Sequence, residues 1–573
     1  MQQLMDFLNL IDGYFGSSSW FAAVLLLTGL YFTIALKLPQ FRLFGRGVTM
    51  LMRANRIRGE GDANTFGSLT TALSGTIGTG NIGGVAFALF LGGPAALFWM
   101  WMTAFVGMAT KMAEVTLAHK YRQRLPDGTF SGGPMYVLDK GMNMRWLGIL
   151  FAIATGATVI GAGTMTQMRS ITDSVHATVG IDFWITSLVV AAFLAVAIIG
   201  GGRRIAQVST YLVPSMSLLY IGGASLVIII NAENIIPSFV LIFSDIFSVN
   251  SAVGGFLGAT FAQAFNYGVA RGLFSNEAGM GSAPIAHAMA RTDESVDEGV
   301  VALLEPMIDT LIICTLTGLA ILASGVWHQK HQVEFSEVET RFLLGQYRDD
   351  LLEDTQALRD WIAGNDSDVI RASGAYRVKD GVLQQERSKE LTILHARSIA
   401  EDVRFYDSDN NLWSGSIYIE DGILNDSISP QGPPFLQGRS LVHSVPLTIK
   451  AFESVLGAFG GFMVTFPLML FAFSTMVTWE YYGNRSLNYV TGGNRIIQRA
   501  YQVIYLAITF IGGIAETTIV WMVALAIQPL MVLPNLFALI SLRHEIKNDI
   551  FVYSARVDRE RRALHRIRKS PSN

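Results

Sequence analysis

The chain has 573 residues, of which 51% are hydrophobic and only 15% charged, and its mean hydropathy is +0.39. Soluble domains carry about 25% charged residues, so this composition excludes an ordinary soluble protein, and recurring apolar runs of about 20 residues indicate a polytopic helical membrane protein rather than a β-barrel of short alternating strands. The net charge of −3 excludes nothing alone, because the charges are unevenly placed, and the sole cysteine, Cys314, permits neither an intramolecular disulfide nor a cysteine metal site.

The N-terminal MQQLMDFLNLIDGYFG lacks a basic segment, so no cleaved signal peptide is expected. Eleven candidate spans follow, near residues 17–38, 67–91, 94–117, 146–168, 182–201, 208–230, 253–273, 299–326, 448–476, 496–514 and 517–534. Basic residues follow span 1 (Lys37, Arg42, Arg46, Arg53, Arg56, Arg58), span 3 (His119, Lys120, Arg122, Arg124) and span 5 (Arg203, Arg204). The C-terminal tail adds Arg556, Arg559, Arg561, Arg562, Arg566, Arg568 and Lys569, whereas loop 231–252 has no Lys or Arg. The positive-inside rule then puts the N-terminus outside and the C-terminus in the cytoplasm of a bacterial-type inner membrane, with Arg169 a mild exception.

Residues 327–445 break the membrane pattern. RDDLLEDTQALRDWIAGNDSDVIR reads as an amphipathic helix, and VRFYDSDNNLWSGSIYIEDGIL as strand, turn at Asp407–Asn411, strand. The expected organisation is a transmembrane part over 1–326, an extracytoplasmic α+β insert over 327–445, a second transmembrane part over 446–542 and a basic tail over 543–573.

Span 2 contains LSGTIGTGNIGGVAFALFLGGP, with Gly75, Gly78, Gly80, Gly83 and Gly84 interspersed with Thr76, Thr79 and Asn81. Close helix packing accounts for a GxxxG pair, but packing needs no amide. An unwound segment lining a cavity accounts for both, because broken helices present free N–H and C=O groups to substrates and ions. Span 7, GATFAQAFNYGVARGLFSNEAGMGSAP, has a second candidate break, with Gly268 and Gly272 flanking Asn266 and Arg271. Each break opens a run of five spans, and an odd number of spans separates matching members. The predicted fold is therefore an all-α, five-plus-five inverted repeat with one extra N-terminal span.

TALSGTIGTGNIGGVAFALFLGGPAALFWMW, FNYGVARGLFSNEAGMGSAPIAHA and LFAFSTMVTWEYYG resemble the hallmark segments of the alanine/glycine:cation symporter (sodium:alanine symporter) family. The resemblance spans all eleven candidate spans and omits the insert. It implies a leucine-transporter-like fold, sodium as the coupling ion, and symport of small neutral amino acids, chiefly alanine or glycine, by alternating access. The partners it implies are the amino acid and the lipid bilayer, with no nucleic acid; nothing in the sequence indicates an oligomeric state.

A zwitterion needs N–H donors for its carboxylate and oxygen acceptors for its ammonium. Thr79, Gly80 and Asn81 in span 2 are the expected donors, joined by Gln167 of span 4, for which interhelical hydrogen bonding is the competing role. Carbonyls near Phe265 and Asn266 are the expected ammonium acceptors. Phe265 and Trp479 either close the pocket or are plain packing aromatics, and Trp479 is also placed to be an interface anchor. For sodium, the resemblance aligns Ser474 and Thr475 of span 9 with the carbonyls of Ser74 and Ile77. Adjacent helical residues point about 100° apart, and each hydroxyl has a local alternative on its own helix backbone.

Intramembrane charges are functional candidates by default. Glu305 and Asp309, four apart and near the first turn marked by Pro306, suit either a structural hydrogen-bonding role or a proton or second-cation site. Lys111 and Glu114 are spaced for an ion pair, and Asn276 and Glu277 for capping a cytoplasmic helix turn. Competing readings are a proton-coupled transporter of the same fold, and a receptor or membrane-anchored protein acting through the insert. The insert shows neither metal-ligand spacing nor a nucleophile motif, so no enzyme is expected.

Overall fold

The computed structural model describes residues 11–569 apart from 12, 16–17, 55–58, 199–200, 247–254, 363, 366 and 385–389. Arg56 and Arg58, and the side chains of Arg203, Arg561, Arg562, Arg566, Arg568 and Lys569, lie outside the described residues.

The membrane part is helical, as continuous apolar sequence dictates where no water satisfies a backbone. Helix α1 (Ser19–Ala35) is followed by α2 (Thr65–Thr76), α3 (Gly83–Gly92) and α4 (Ala95–Lys120). Then come α5 (Arg145–Val179), α6 (Phe183–Ile198), α7 (Gly201–Ile230), α8 (Phe261–Asn276), α9 (Ala283–His287) and α10 (Ser295–Ser324). By length and composition five helical stretches, Arg145–Val179, Arg204–Ile230, Ser295–Ser324, Ala458–Thr491 and Val520–Ser541, suffice to cross a bilayer. Several others are shorter because they are interrupted.

Expected span 2 is indeed two helices. Asn64 caps α2 by accepting from Gly67 N–H, and a single 3-10 turn at Thr79–Asn81 joins α2 to α3. Span 7 is also interrupted, but not at Gly268 and Gly272. Both lie inside the unbroken α8, where a Cβ on Gly268 would meet the Ala96 carbonyl at 2.6 Å, and one on Gly272 would meet Thr103 Cβ at 3.0 Å. These glycines let α8 press against α4, the small-residue packing of membrane helices. The break falls later, at Glu277–Ser282, where Glu277, Gly279 and Gly281 take positive φ of 53°, 88° and 85°. Only glycine enters that region freely, so EAGMGS carries the backbone reversal.

The expected span 448–476 is divided too. Helix α11 (Ser444–Leu456) ends at Gly457, with φ of 57°, before α12 (Ala458–Thr491) begins. Helices α13 (Arg495–Ile514), α14 (Thr517–Ile527), α15 (Pro529–Ser541) and α16 (Arg543–Lys569) complete the chain. At one end of the molecule α16 gathers the basic loops: Lys120 pairs with Glu545 (2.8 Å) and Asp549 (2.5 Å), Arg556 with Glu294, and Arg42 with Asp558 (4.0 Å).

The insert lies at the other end. Its strands are β1 (His331–Glu334), β2 (Thr340–Leu344), β3 (Ile370–Arg371), β4 (Gly374–Lys379), β5 (Val382–Gln384), β6 (Leu391–His395), β7 (Ser398–Ile399), β8 (Glu401–Tyr406), β9 (Gly415–Glu420), β10 (Ile423–Ile428) and β11 (Phe435–Ser440). They form three antiparallel sheets ordered β8-β11-β1, β10-β9-β4-β5 and β3-β2-β6-β7. The amphipathic helix is Leu352–Ile362. The turn at Asp407–Asn411 forms, its Asp407 carboxylate accepting from the N–H groups of Asp409 (3.0 Å) and Asn411 (2.8 Å). Its flanking strands do not pair as a hairpin, however: apart from a Tyr406–Leu412 bridge, β8 joins β11 and β9 joins β10. The tight hairpins among the described residues are instead at Asp380–Gly381, Ala396–Arg397 and Asp421–Gly422, with both residues of each turn at positive φ, as type I′ two-residue turns require.

The insert touches the membrane helices at defined points. Arg397, in the β6–β7 turn, donates to the Leu91 carbonyl at the C-terminal end of α3 (2.8 Å), and Ser336 donates to Glu516 between α13 and α14 (2.8 Å). Glu339 meets His443, just before α11, at 2.9 Å. Burial opposes charge on the His443 ring, but the Glu339 carboxylate outweighs it and leaves the His443 pKa above its ordinary value.

Candidate functional site

The break between α2 and α3 is held by its own Asn81 and by side chains of α5 and α10. Asn81 Oδ1 accepts from Gly78 N–H (2.9 Å), while its Nδ2 donates to Asp309 Oδ1 (2.6 Å) and the Asp309 carbonyl (3.1 Å). The Asn81 carbonyl accepts from Thr317 (2.7 Å). Gln167 Oε1 accepts from Thr79 N–H (3.0 Å), and its Nε2 donates to the Ala162 carbonyl (3.2 Å) within the π-helical stretch Val159–Met165 of α5. Asn81 and Gln167 therefore spend their amides on holding the unwound backbone, which converts a costly interruption into a satisfied one.

The oxygens expected to surround a cation do converge. Thr475 Oγ1 lies 3.0 Å from the Ser74 carbonyl and 3.3 Å from the Ile77 carbonyl. Its neighbour Ser474 turns its hydroxyl back to the Phe471 carbonyl (2.9 Å) on its own helix, as the angular separation of adjacent residues requires. Ser474 instead meets α2 through its carbonyl, which accepts from Ser74 Oγ (3.1 Å). Thr478, one helical turn from Ser474, turns its hydroxyl toward α2 and donates to Ser74 Oγ at 3.0 Å. A Cβ on Gly78 would meet Thr475 Oγ1 at 2.7 Å and Gln167 Oε1 at 2.8 Å, so the backbone approaches both side chains only because residue 78 has none.

Beside this cluster is a small closed cavity of about 10 Å³, lined by Gly75, Thr76, Gly80, Ala162, Gln167, Phe274, Glu277, Met280, Trp479 and Gln528. Of the expected substrate residues it brings together Gly80, Gln167 and Trp479, whose Nε1 donates to the Gly75 carbonyl (3.3 Å). Thr79 and Asn81 are fully buried immediately beside Gly80. Phe265 and Asn266 are not part of it. Phe265 packs edge-on against Trp99 (4.8 Å) and stacks on Phe261 (6.2 Å), and both residues sit in the unbroken α8, whose carbonyls are committed to helical hydrogen bonds. They lie away from the cavity because the break begins eleven residues after Asn266, at Glu277.

Seven cavity residues are not among the expected substrate contacts: Gly75, Thr76, Ala162, Phe274, Glu277, Met280 and Gln528. Glu277 does end a helix as expected, with Asn276 Oδ1 accepting from Ala278 N–H (3.0 Å), but both residues are buried inside the molecule rather than at a cytoplasmic turn. Gly279 and Gly281, two residues apart after SNE, are the signal that could have located this break.

The charged residues form a buried chain. Lys111 lies 3.7 Å from Glu114, the expected pair, and closer still, at 3.2 Å, to Glu305. His287 meets Glu298 (2.7 Å) and Glu305 (3.4 Å). Pro306 does not open α10, which begins at Ser295; it precedes the π-helical stretch Met307–Cys314, where proline's missing N–H interrupts the α ladder. This shift of register separates the partners of Glu305 from those of Asp309, which accepts from Asn81, Ser275 (2.7 Å) and Thr310 (2.6 Å).

Above the cavity, Arg271 is buried among aromatic rings, 4.4 Å from Trp521 and 4.6 Å from Phe87. Phe87 continues outward to His443 (5.3 Å), next to a cavity of about 250 Å³ shared by Arg169, Asp173, Glu339, His395 and Glu516 beneath the insert. Rings and insert together close the site on that side.

Comparison with known proteins agrees with this architecture. The sodium:alanine symporter family matches residues 1–349 and 435–566. An uncharacterized transporter of Haemophilus influenzae is 32% identical over 555 residues, covering 96% of each chain. The sodium/alanine symporter AgcS of Methanococcus maripaludis is 31% identical over 573 residues, 99% of each chain. The probable sodium/glutamine symporter GlnT of Bacillus subtilis is 37% identical over 328 residues, 57% of this chain and 68% of its own. The chain is thus a multi-pass membrane transporter, not an enzyme, and it belongs to the sodium:alanine symporter family.

Proposed function

We propose that the protein is a secondary active transporter that couples inward sodium flow to uptake of small neutral amino acids such as alanine or glycine. The carrying observation is the meeting of the Thr475 hydroxyl with the Ser74 and Ile77 carbonyls at a broken helix, beside a closed cavity. Hard oxygens without a full carboxylate suit a monovalent cation. Sodium at Ser74, Ile77 and Thr475 would order the α2 end, which in turn shapes the cavity wall at Gly75 to Asn81. The coupling is reciprocal by necessity: the amino acid tightens sodium binding as sodium tightens that of the amino acid.

In this reading eleven spans form a leucine-transporter-like inverted repeat, with the N-terminus outside and the C-terminus in the cytoplasm. The insert is an extracytoplasmic accessory domain. The two repeats rock about the site to expose it alternately. The gathering of basic loops against α16, and of the insert at the opposite end, supports this orientation.

Proton coupling is a second reading, favoured by the direct contact of Asp309 with Asn81 at the break. Reconstitution in proteoliposomes separates the two. An inward sodium gradient should drive alanine uptake and an inward proton gradient alone should not; the reverse result would replace sodium by the proton.

A further inference from the structure

The cavity is bordered by two buried polar side chains, one of them an unpaired donor and the other a carboxylate. Gln528, at the junction of α14 and α15, is 3% exposed, and its Nε2 has no hydrogen-bond partner. Glu277, in the α8–α9 break, is 2% exposed, and one of its carboxylate oxygens accepts from Ser282. A buried carboxylate calls for a positive charge as well as a hydroxyl. Of the nearby buried cations, Lys111 contacts Glu305 and Glu114 and acts on Glu277 only through space, His287 contacts Glu298 and Glu305, and Arg271 sits over aromatic rings. Carboxylates outnumber cations in this region, and Glu277 is the one that borders the cavity.

An unpaired donor and a carboxylate that makes no ion pair among the described residues, bordering one small space, are complementary to a zwitterion. We propose that Glu277 accepts the ammonium of the amino-acid substrate and that Gln528 donates to its carboxylate, beside the α2–α3 break. The proposal rests on the amino-acid reading of the site. It places the ammonium acceptor at the α8–α9 break rather than at Phe265 and Asn266. The cavity is closed and has room for little more than a water, so the occupant carries a short side chain and displaces the Trp479, Phe274 and Met280 walls.

The test measures alanine binding to the purified full-length chain as alanine-dependent thermal stabilisation, in sodium and without any gradient. It can therefore succeed even if sodium-driven uptake fails, and the two readings fail separately. Glu277→Gln and Gln528→Ala should each weaken alanine binding at least about tenfold, the scale of a lost hydrogen bond to a charged group. Stabilisation by sodium alone should be unchanged in both. Analogues assign the poles. Lactate, with a hydroxyl for the ammonium, should bind far more weakly than alanine to the wild type and lose much of that disadvantage in Glu277→Gln. Alaninol, which lacks the carboxylate, should do the same in Gln528→Ala.

Ser282→Ala separates binding from support of the break, and should keep alanine affinity within about twofold, since Ser282 supports Glu277 from outside the cavity lining. The proposal is overturned if Glu277→Gln binds alanine as the wild type does, or if Ser282→Ala reproduces its loss. It is equally overturned if sodium stabilisation falls in parallel with alanine binding in Glu277→Gln, which would assign the carboxylate to a cation, or if the wild type shows no alanine stabilisation.

Discussion

The two broken spans solve one problem differently. Between α2 and α3 the interruption is a 3-10 turn whose polar groups are met by Asn81, Gln167 and Thr317, and its glycines serve mainly for close approach. Between α8 and α9 the interruption is a left-handed turn, in which Gly279 and Gly281 are needed for their φ angles. The glycines of α8 that look most like a break, Gly268 and Gly272, are packing contacts inside an intact helix. A glycine cluster in a membrane span thus has two distinct physical meanings in this one chain: space for a neighbour, or freedom of φ.

The largest expected effects probe the first break. Asn81→Leu removes the donor to Asp309 and the acceptor for Gly78 N–H at once, leaving buried polar groups unmet. Sodium-driven uptake should fall at least about 100-fold, on the scale of several kcal/mol for such groups, while membrane insertion, followed by surface labelling, is retained. Gly78→Ala should be nearly as severe, because its Cβ would collide with Thr475 and Gln167. Gly84→Ala is the contrasting control: its Cβ would meet only the Thr79 carbonyl at 3.8 Å, and uptake should stay within about twofold.

The ion cluster comes next. Thr475→Val removes an oxygen that faces two carbonyls and should raise the sodium concentration for half-maximal uptake about tenfold. Ser474→Ala removes only a hydroxyl bonded to its own helix and should change that value less than about twofold. Equal effects of the two would return Ser474 to the site.

The smallest effects concern the insert. Arg397→Ala leaves the Leu91 carbonyl at the end of α3 without its donor, and should change maximal uptake by a few-fold while leaving sodium affinity intact. The Glu339–His443 pair gives a pH signature with a definite sign. The folded-state pKa of His443 is raised, so its contribution is fully present below the ordinary histidine value and is lost as pH rises through the raised one. The melting temperature of the purified protein should therefore drop by roughly 1–2 °C on the alkaline side of that pKa, and Glu339→Gln should abolish the drop.

The interruption of span 2 and the convergence of Thr475 with Ser74 and Ile77 were legible because glycines, small hydroxyls and an amide stand together in otherwise apolar sequence. The site of the second interruption was not, since the spacing of Gly268 and Gly272 fits a break as well as a packing stripe. Only the presence of α4 at their surface distinguishes the two. The insert's helix and its turn at Asp407 follow from local sequence, but strand partners do not: β8 finds β11 across about thirty residues because pairing is decided by which apolar faces meet.

By itself, the sequence determined that the chain lives in a membrane, that its helices are interrupted, and that hydroxyls and amides lie at membrane depth. Those properties follow from hydropathy and residue type, which are local. The tertiary structure decided which interruption faces which helix, that Ser474 turns away while Thr478 turns in, and that Glu277 and Gln528 border one cavity. These outcomes depend on side-chain direction and on contacts between segments hundreds of residues apart, for which no local pattern in one sequence is a sufficient cause.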